Sequence, residues 1–128
     1  MSVQPISIVV RLSDVTIARS ELERTLGLVL DRYEKIPGRS TSYAQIDIPE
    51  ADDYWSAALN HIRSIAPVLV PLVSNESIGS MCLDVAIPFH ESAMAISSTF
   101  PSPLAEVAGS LGMDIEVSIY RNGLIYSH

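Results

Sequence analysis

The stretch SLGMDIEVSIY, residues 110–120, decides how the chain is read. Gly112 follows an apolar helical pattern and can take the positive backbone angle that ends a helix, and the residues after it alternate. Ile115, Val117 and Ile119 fall on one face of the resulting strand, and Glu116, Ser118 and Tyr120 on the other. The expectation is a helix turning at Gly112 into a sheet strand. Its aliphatic trio points inward and its polar trio faces the opposite, solvated side.

Other segments carry the same two periods. The helix before Gly112 is read in PSPLAEVAGSLG (residues 101–112), with Ser102 as cap, Pro103 at the first helical position and Leu104, Val107, Ala108 and Leu111 as its stripe. SMCLDVAIP (80–88) alternates Met81, Leu83, Val85 and Ile87 against Cys82, Asp84 and Ala86, with Pro88 as its end and SAMAIS as a returning strand. In ISIVVRL (6–12), Ile6, Ile8, Val10 and Leu12 share one face. SELERTLGL (20–28) reads as a short helix with a Ser20–Glu23 capping box and a stop at Gly27. VLDRYEKIPGRSTS (29–42) reads as an irregular connection turning at Pro37-Gly38, before a strand in YAQIDIP (43–49).

The strongest helix pattern is DDYWSAALNHIRSIA (52–66). Asp52 or Asp53 caps it, and Trp55, Ala58, Leu59, Ile62, Ile65 and Ala66 form a broad apolar stripe. PVLVPLV after it reads as a further short helical segment, since proline can begin a turn, or as an extended link, with the helical reading favoured. The sum is one α+β domain: an antiparallel or mixed sheet of about five strands with helices on one face, in a ferredoxin-like arrangement with an insertion.

Composition narrows the function. With 48% apolar and 18% charged residues, the 128-residue chain is too hydrophobic for disorder and has apolar surface to offer a partner. A net charge of −7, with one lysine and seven scattered arginines, disfavours nucleic acid and anionic membrane surfaces and favours a basic protein. Cys82 is the single cysteine, flanked by Met81 and Leu83, so no intrachain disulfide is available and a reducing cytoplasm is expected. The N-terminus lacks the basic region and long apolar run of a leader. IAPVLVPLV (65–73) is half a bilayer span at most and holds Pro67 and Pro71, so no membrane span is expected. Asn75-Glu76-Ser77 matches a glycosylation triplet, without consequence in that compartment.

Chemistry-bearing residues are sparse. His61, His90 and His128 are far apart, and His90-Glu91 offers only two donors, so no metal site is expected. No cofactor motif is present: PGRSTS and RNGLIYS lack the strand, glycine loop and helix that cradle phosphate. Cys82 with His90 is the one thiol–imidazole pair, separated by too many residues to imply contact. Asp52-Asp53 is explained by the start of a helix. Tyr54, Ala57 and His61 lie along one margin of the apolar stripe, with Tyr54 and His61 two turns apart, where they would border a groove beside the sheet, and a ligand pocket there would contain Tyr54, His61 or Arg63; the competing explanation is that His61 only caps the core edge by a hydrogen bond.

The chain also resembles a bacterial domain family of unknown function, DUF4279. The likeness runs from Ile6 to Tyr120 and rests on Leu26-Gly27-Leu28, on Trp55 with His61-Ile62, and on Leu111-Gly112 followed by Ile119-Tyr120. Where that family often has a Lys-Gly or Arg-Gly turn and a tryptophan, this chain has KIPGR (35–39) and Tyr43. The resemblance implies a fold and no catalytic residues. The expected function is a small cytoplasmic, non-catalytic protein-binding domain, with an immunity-type inhibitor of a basic partner as one version. Two alternatives stay open: a small-ligand binder or enzyme with a pocket beside the Trp55 helix, and a structural homo-oligomer burying the Glu116–Tyr120 face against its copy.

Overall fold

The structure, a computed structural model, describes residues 3–90 and 95–121. Its elements are β1 (Ser7–Val15), α1 (Arg19–Leu26), β2 (Arg32–Lys35), β3 (Ser42–Asp47), α2 (Tyr54–Ser74), β4 (Ser80–Phe89), α3 (Ser102–Ser110) and β5 (Asp114–Arg121). They form one five-stranded sheet in the order β2-β3-β1-β4-β5. The first four strands pair antiparallel, and β5 joins β4 in parallel. β1 to β4 with α1 and α2 thus follow the split βαβ pattern, as expected. The addition is the α3–β5 unit appended after β4 rather than an insertion. A parallel neighbour needs a crossover, and α3 supplies it.

Alternation decides which side is interior. Ile8, Val10 and Leu12 of β1, Ala44 and Ile46 of β3, and Met81, Leu83, Val85 and Ile87 of β4 are buried. They share one core with Leu22 and Leu26 of α1, Ile62, Ile65 and Leu69 of α2, and Leu104 and Ala108 of α3. All three helices therefore lie on one face, and the other face is open. α2 is one continuous helix of 21 residues, capped by the Asp53 side chain, which accepts from the Ser56 N–H at 3.1 Å. It runs through Pro67 and Pro71. Both prolines are exposed and one turn apart, so the carbonyls they deprive of a helical donor lie on the solvent side, where water takes the donor's place.

That continuity corrects the half-span expectation: among the described residues, α2 is a helix long and apolar enough to cross a membrane by length and composition. Its stripe of Trp55, Ala58, Ile62, Ile65, Leu69 and Leu72 is buried in the core shared with the sheet.

Several local expectations are corrected. The connection 29–42 contains β2, paired with β3 from Arg32–Gln45 to Lys35–Ser42. Ser20 is not a cap: α1 starts after Ala18 with no side-chain cap, and Glu23 instead accepts from the Leu30 N–H at 2.8 Å. Ser102 is the first helical residue of α3, behind Pro101. Pro88 lies inside β4. Of the returning strand, residues 92–94 lie outside the described residues, and 95–97 have no strand structure. Gly27 and Gly112 do take the left-handed conformation, at φ 72° and 68°.

The largest correction concerns β5. Ile115, Val117 and Ile119 pair with Leu83, Val85 and Ile87 and so face the helix side, but they are 41%, 53% and 64% exposed. The alternation is as read, but among the described residues no element covers the row fully. At 1.5 Å per residue, the nine residues of α3 span about 14 Å, whereas the eight of β5 extend about 26 Å. Because α3 ends where β5 begins, it shields the Ile115 end best and the Ile119 end least.

Replacing Pro67 with Ala restores a backbone donor in the middle of α2. It is expected to raise stability by about 1–3 kcal/mol, seen as a higher urea midpoint at unchanged slope. An unchanged or lower midpoint would mean that the missing donor costs the helix nothing at this exposed position.

Candidate functional site

The expected groove residues do not converge. Tyr54 is buried, and its hydroxyl accepts from the Ile8 N–H at 3.3 Å and donates to the Ile48 carbonyl at 2.9 Å, tying α2 to β1 and to the end of β3. Burial pushes its phenol up. His61 is half-buried, and its Nε2 atom is buried without a hydrogen-bond partner among the described residues, so it does not cap the core edge through that atom there. Arg63 is exposed and lines a shallow hollow with Pro103, Glu106, Val107 and Ser110 between α2 and α3. Nine residues at about 100° each place Arg63 half a turn around the helix from Tyr54.

The thiol–imidazole pair is separated as well. Cys82 lies in β4 and His90 just beyond that strand's end, so eight extended residues hold them roughly 26 Å apart. Glu91 and His128 lie outside the described residues, among which no three His, Cys, Asp or Glu side chains gather as metal ligands.

What the strands do bring together lies on the open face. Register places Arg11 of β1 beside Cys82 of β4, and Asp84 of β4 beside Glu116 of β5. Two carboxylates directly opposite on neighbouring strands repel. Arg11 lies diagonal to both: one terminal nitrogen pairs with Asp84 and the other reaches Glu116 at 3.6 Å. On the far side, Tyr43 donates to Gln45 at 2.8 Å, Gln45 donates to Asp47 at 2.6 Å, and Arg32 stacks on the Tyr43 ring at 5.4 Å. Asp47, Asp84, Asp114 and Glu116 outnumber Arg11 along the β3-β1-β4-β5 part of this face, leaving it acidic.

Burial first, then Glu116 and Asp84, push the Cys82 thiol up, against the opposing effect of Arg11. The group is held as a thiol in an acidic setting, the reverse of what activates a nucleophile.

The open face ends at β5, and there the site acquires its second component. β5 is an edge strand whose ladder is satisfied on the β4 side alone among the described residues. Its helix-side row is the exposed aliphatic trio, and its open-face row carries Asp114, Glu116, Ser118 and Tyr120. The opposite edge differs: β2 has four residues, and Arg32, Glu34 and Lys35 make it charged. Short, charged edges discourage strand addition, and long apolar ones invite it. The sequence showed the alternation of β5 but not its place at the rim. The Arg11–Asp84–Glu116 cluster had no local signal, because its members meet only through strand order.

Replacing Arg11 with Met leaves Asp84 facing Glu116 uncompensated. A loss of about 0.5–1 kcal/mol is expected in dilute buffer, shrinking as salt screens the repulsion; equal stability of the two proteins in dilute buffer would remove the bridging role. For Cys82, the raised pKa keeps the thiolate scarce until pH passes above the ordinary thiol range. Alkylation by iodoacetamide at pH 7 should be slower than that of free cysteine and climb steeply only in alkaline buffer, whereas rapid labelling at pH 7 would contradict the acidic, half-buried setting.

In comparisons with protein-family models, curated proteins and solved structures, nothing matches this chain.

Proposed function

We propose that the chain is a non-catalytic protein-binding domain that takes its partner as an added strand along β5. The observation that carries this reading is the exposed row Ile115, Val117 and Ile119 on an edge strand of eight residues. Strand addition satisfies the free backbone groups of the edge while a matching aliphatic row covers the trio. Contiguous apolar surface on a sheet edge otherwise promotes nonspecific association.

A second feature favours a basic partner on the neighbouring surface. The acidic surplus of Asp47, Asp84, Asp114 and Glu116 on the open face would attract and orient a basic protein, the immunity-type inhibitor version of the same function. The likeness to DUF4279 domains and a cytoplasmic setting belong to this reading.

Capture from an extract of the source cell, run in parallel with the natural chain and with Val117→Lys, tests it. Val117 is about half exposed, so the lysine is tolerated by the fold, and an unchanged melting temperature verifies this. Proteins retained by the natural chain should be lost from the variant. An identical retained set would exclude β5 as the binding edge.

A further inference from the structure

We propose that the strand added along β5 is the β5 of a second copy, running antiparallel about a twofold axis beside Val117. The inference rests on the reading of β5 as a binding edge and names the partner. A twofold axis perpendicular to the sheet makes the two edge strands antiparallel, and residues directly opposite then share a face. Allowed registers therefore step by two residues, and the two faces of β5 can be checked against each.

With Val117 opposite Val117 of the second copy, Ile115 stands opposite Ile119 and Ile119 opposite Ile115, so every exposed aliphatic residue meets another. On the open face, Glu116 then stands opposite Ser118, and Asp114 opposite Tyr120. Shifting the register one way centres it on Glu116 and sets the two Glu116 carboxylates directly against each other, which is destabilising. Shifting it the other way centres it on Ser118 and leaves Ile115 against the charged Arg121. The acidic row thus excludes one neighbouring register and the aliphatic row the other, which leaves the register centred on Val117.

Exposure along the row is complementary in the same sense. It rises from 41% at Ile115 to 64% at Ile119 as the strand leaves α3 behind. The antiparallel register lays the barest end of each copy beside the end of the other that lies nearest its α3. The product is one continuous sheet of the two copies' five strands each.

Charge gives the association its own salt signature. Each chain carries a net charge of −7, so the two copies repel at long range and their pairing should tighten as salt rises. A basic partner on the open face would do the opposite and let go as salt rises.

Sedimentation of the full chain from low to high micromolar concentration, at 50 and 500 mM NaCl, is the test. The expected result is a monomer–dimer equilibrium with a dissociation constant at least a few-fold lower in the higher salt, abolished by Val117→Lys. Register is read separately in a Cys82→Ser background. There, Val117→Cys should cross-link rapidly between copies under mild oxidation, while Ser118→Cys, which faces Glu116 of the other copy, should lag severalfold. A chain that stays monomeric throughout, or a dimer in which the two cysteine variants cross-link equally fast, overturns the proposal. Loss of the dimer with Val117-dependent capture intact would remove only the second copy as occupant; loss of both would remove strand addition itself.

Discussion

Everything in this molecule depends on the side to which β1 and β4 turn their aliphatic residues. Ile8, Val10 and Leu12 lie beside Val85, Leu83 and Met81 in the antiparallel ladder, all on one face and all buried. A slip of one residue in either strand would carry a whole row to the wrong side of the sheet. Burying each such side chain is worth roughly 1.5–3 kcal/mol as an upper estimate, more than any surface ion pair on the opposite face can contribute. The polar face is therefore a consequence of the apolar one. Arg11, Cys82 and Asp84 stand where they do because Val10, Leu83 and Val85 have claimed the interior.

That hierarchy explains what could be read from residues alone. β1, α2 and β4 are long and strictly periodic, and their core residues are legible because burial imposes the period. β2 was not legible: its four residues are mostly charged, and it is a strand only because β3 pairs with it across the Pro37-Gly38 turn. The capping box at Ser20 failed for a different reason. Glu23 has the right spacing, but its carboxylate is drawn to Arg19 one turn earlier and to the Leu30 N–H, a partner that exists only after the chain has folded back beyond Gly27. Along β5 the period again identified a face correctly. Period, however, reports direction, and whether a second layer lies in that direction depends on the length of α3.

The candidate site shows the same limit more sharply. Tyr54 and His61 do share a side of α2, but Arg63, nine residues from Tyr54, lies on the opposite one, and Tyr54 is spent on holding α2 to β1 and β3. Arg11, Asp84 and Glu116 come from three strands, and their meeting depends on β4 lying between β1 and β5 and on β5 running parallel to β4. No local pattern encodes either fact.

The two rims of the sheet make the functional argument. An edge strand offers free backbone groups to any extended chain, and the β2 rim restrains that tendency with brevity and charge. The β5 rim has twice the length and an aliphatic residue at alternate positions, so the same physical rule reads oppositely there. Solvation alone would favour polar residues at Ile115, Val117 and Ile119, since a solvated strand face gains nothing from three β-branched aliphatics. Residues of that kind at that spacing are what a strand carries when its face is to be covered. α3 is too short to cover them, and this exposed row is what the proposed added strand would cover, with an aliphatic row of its own in matching register.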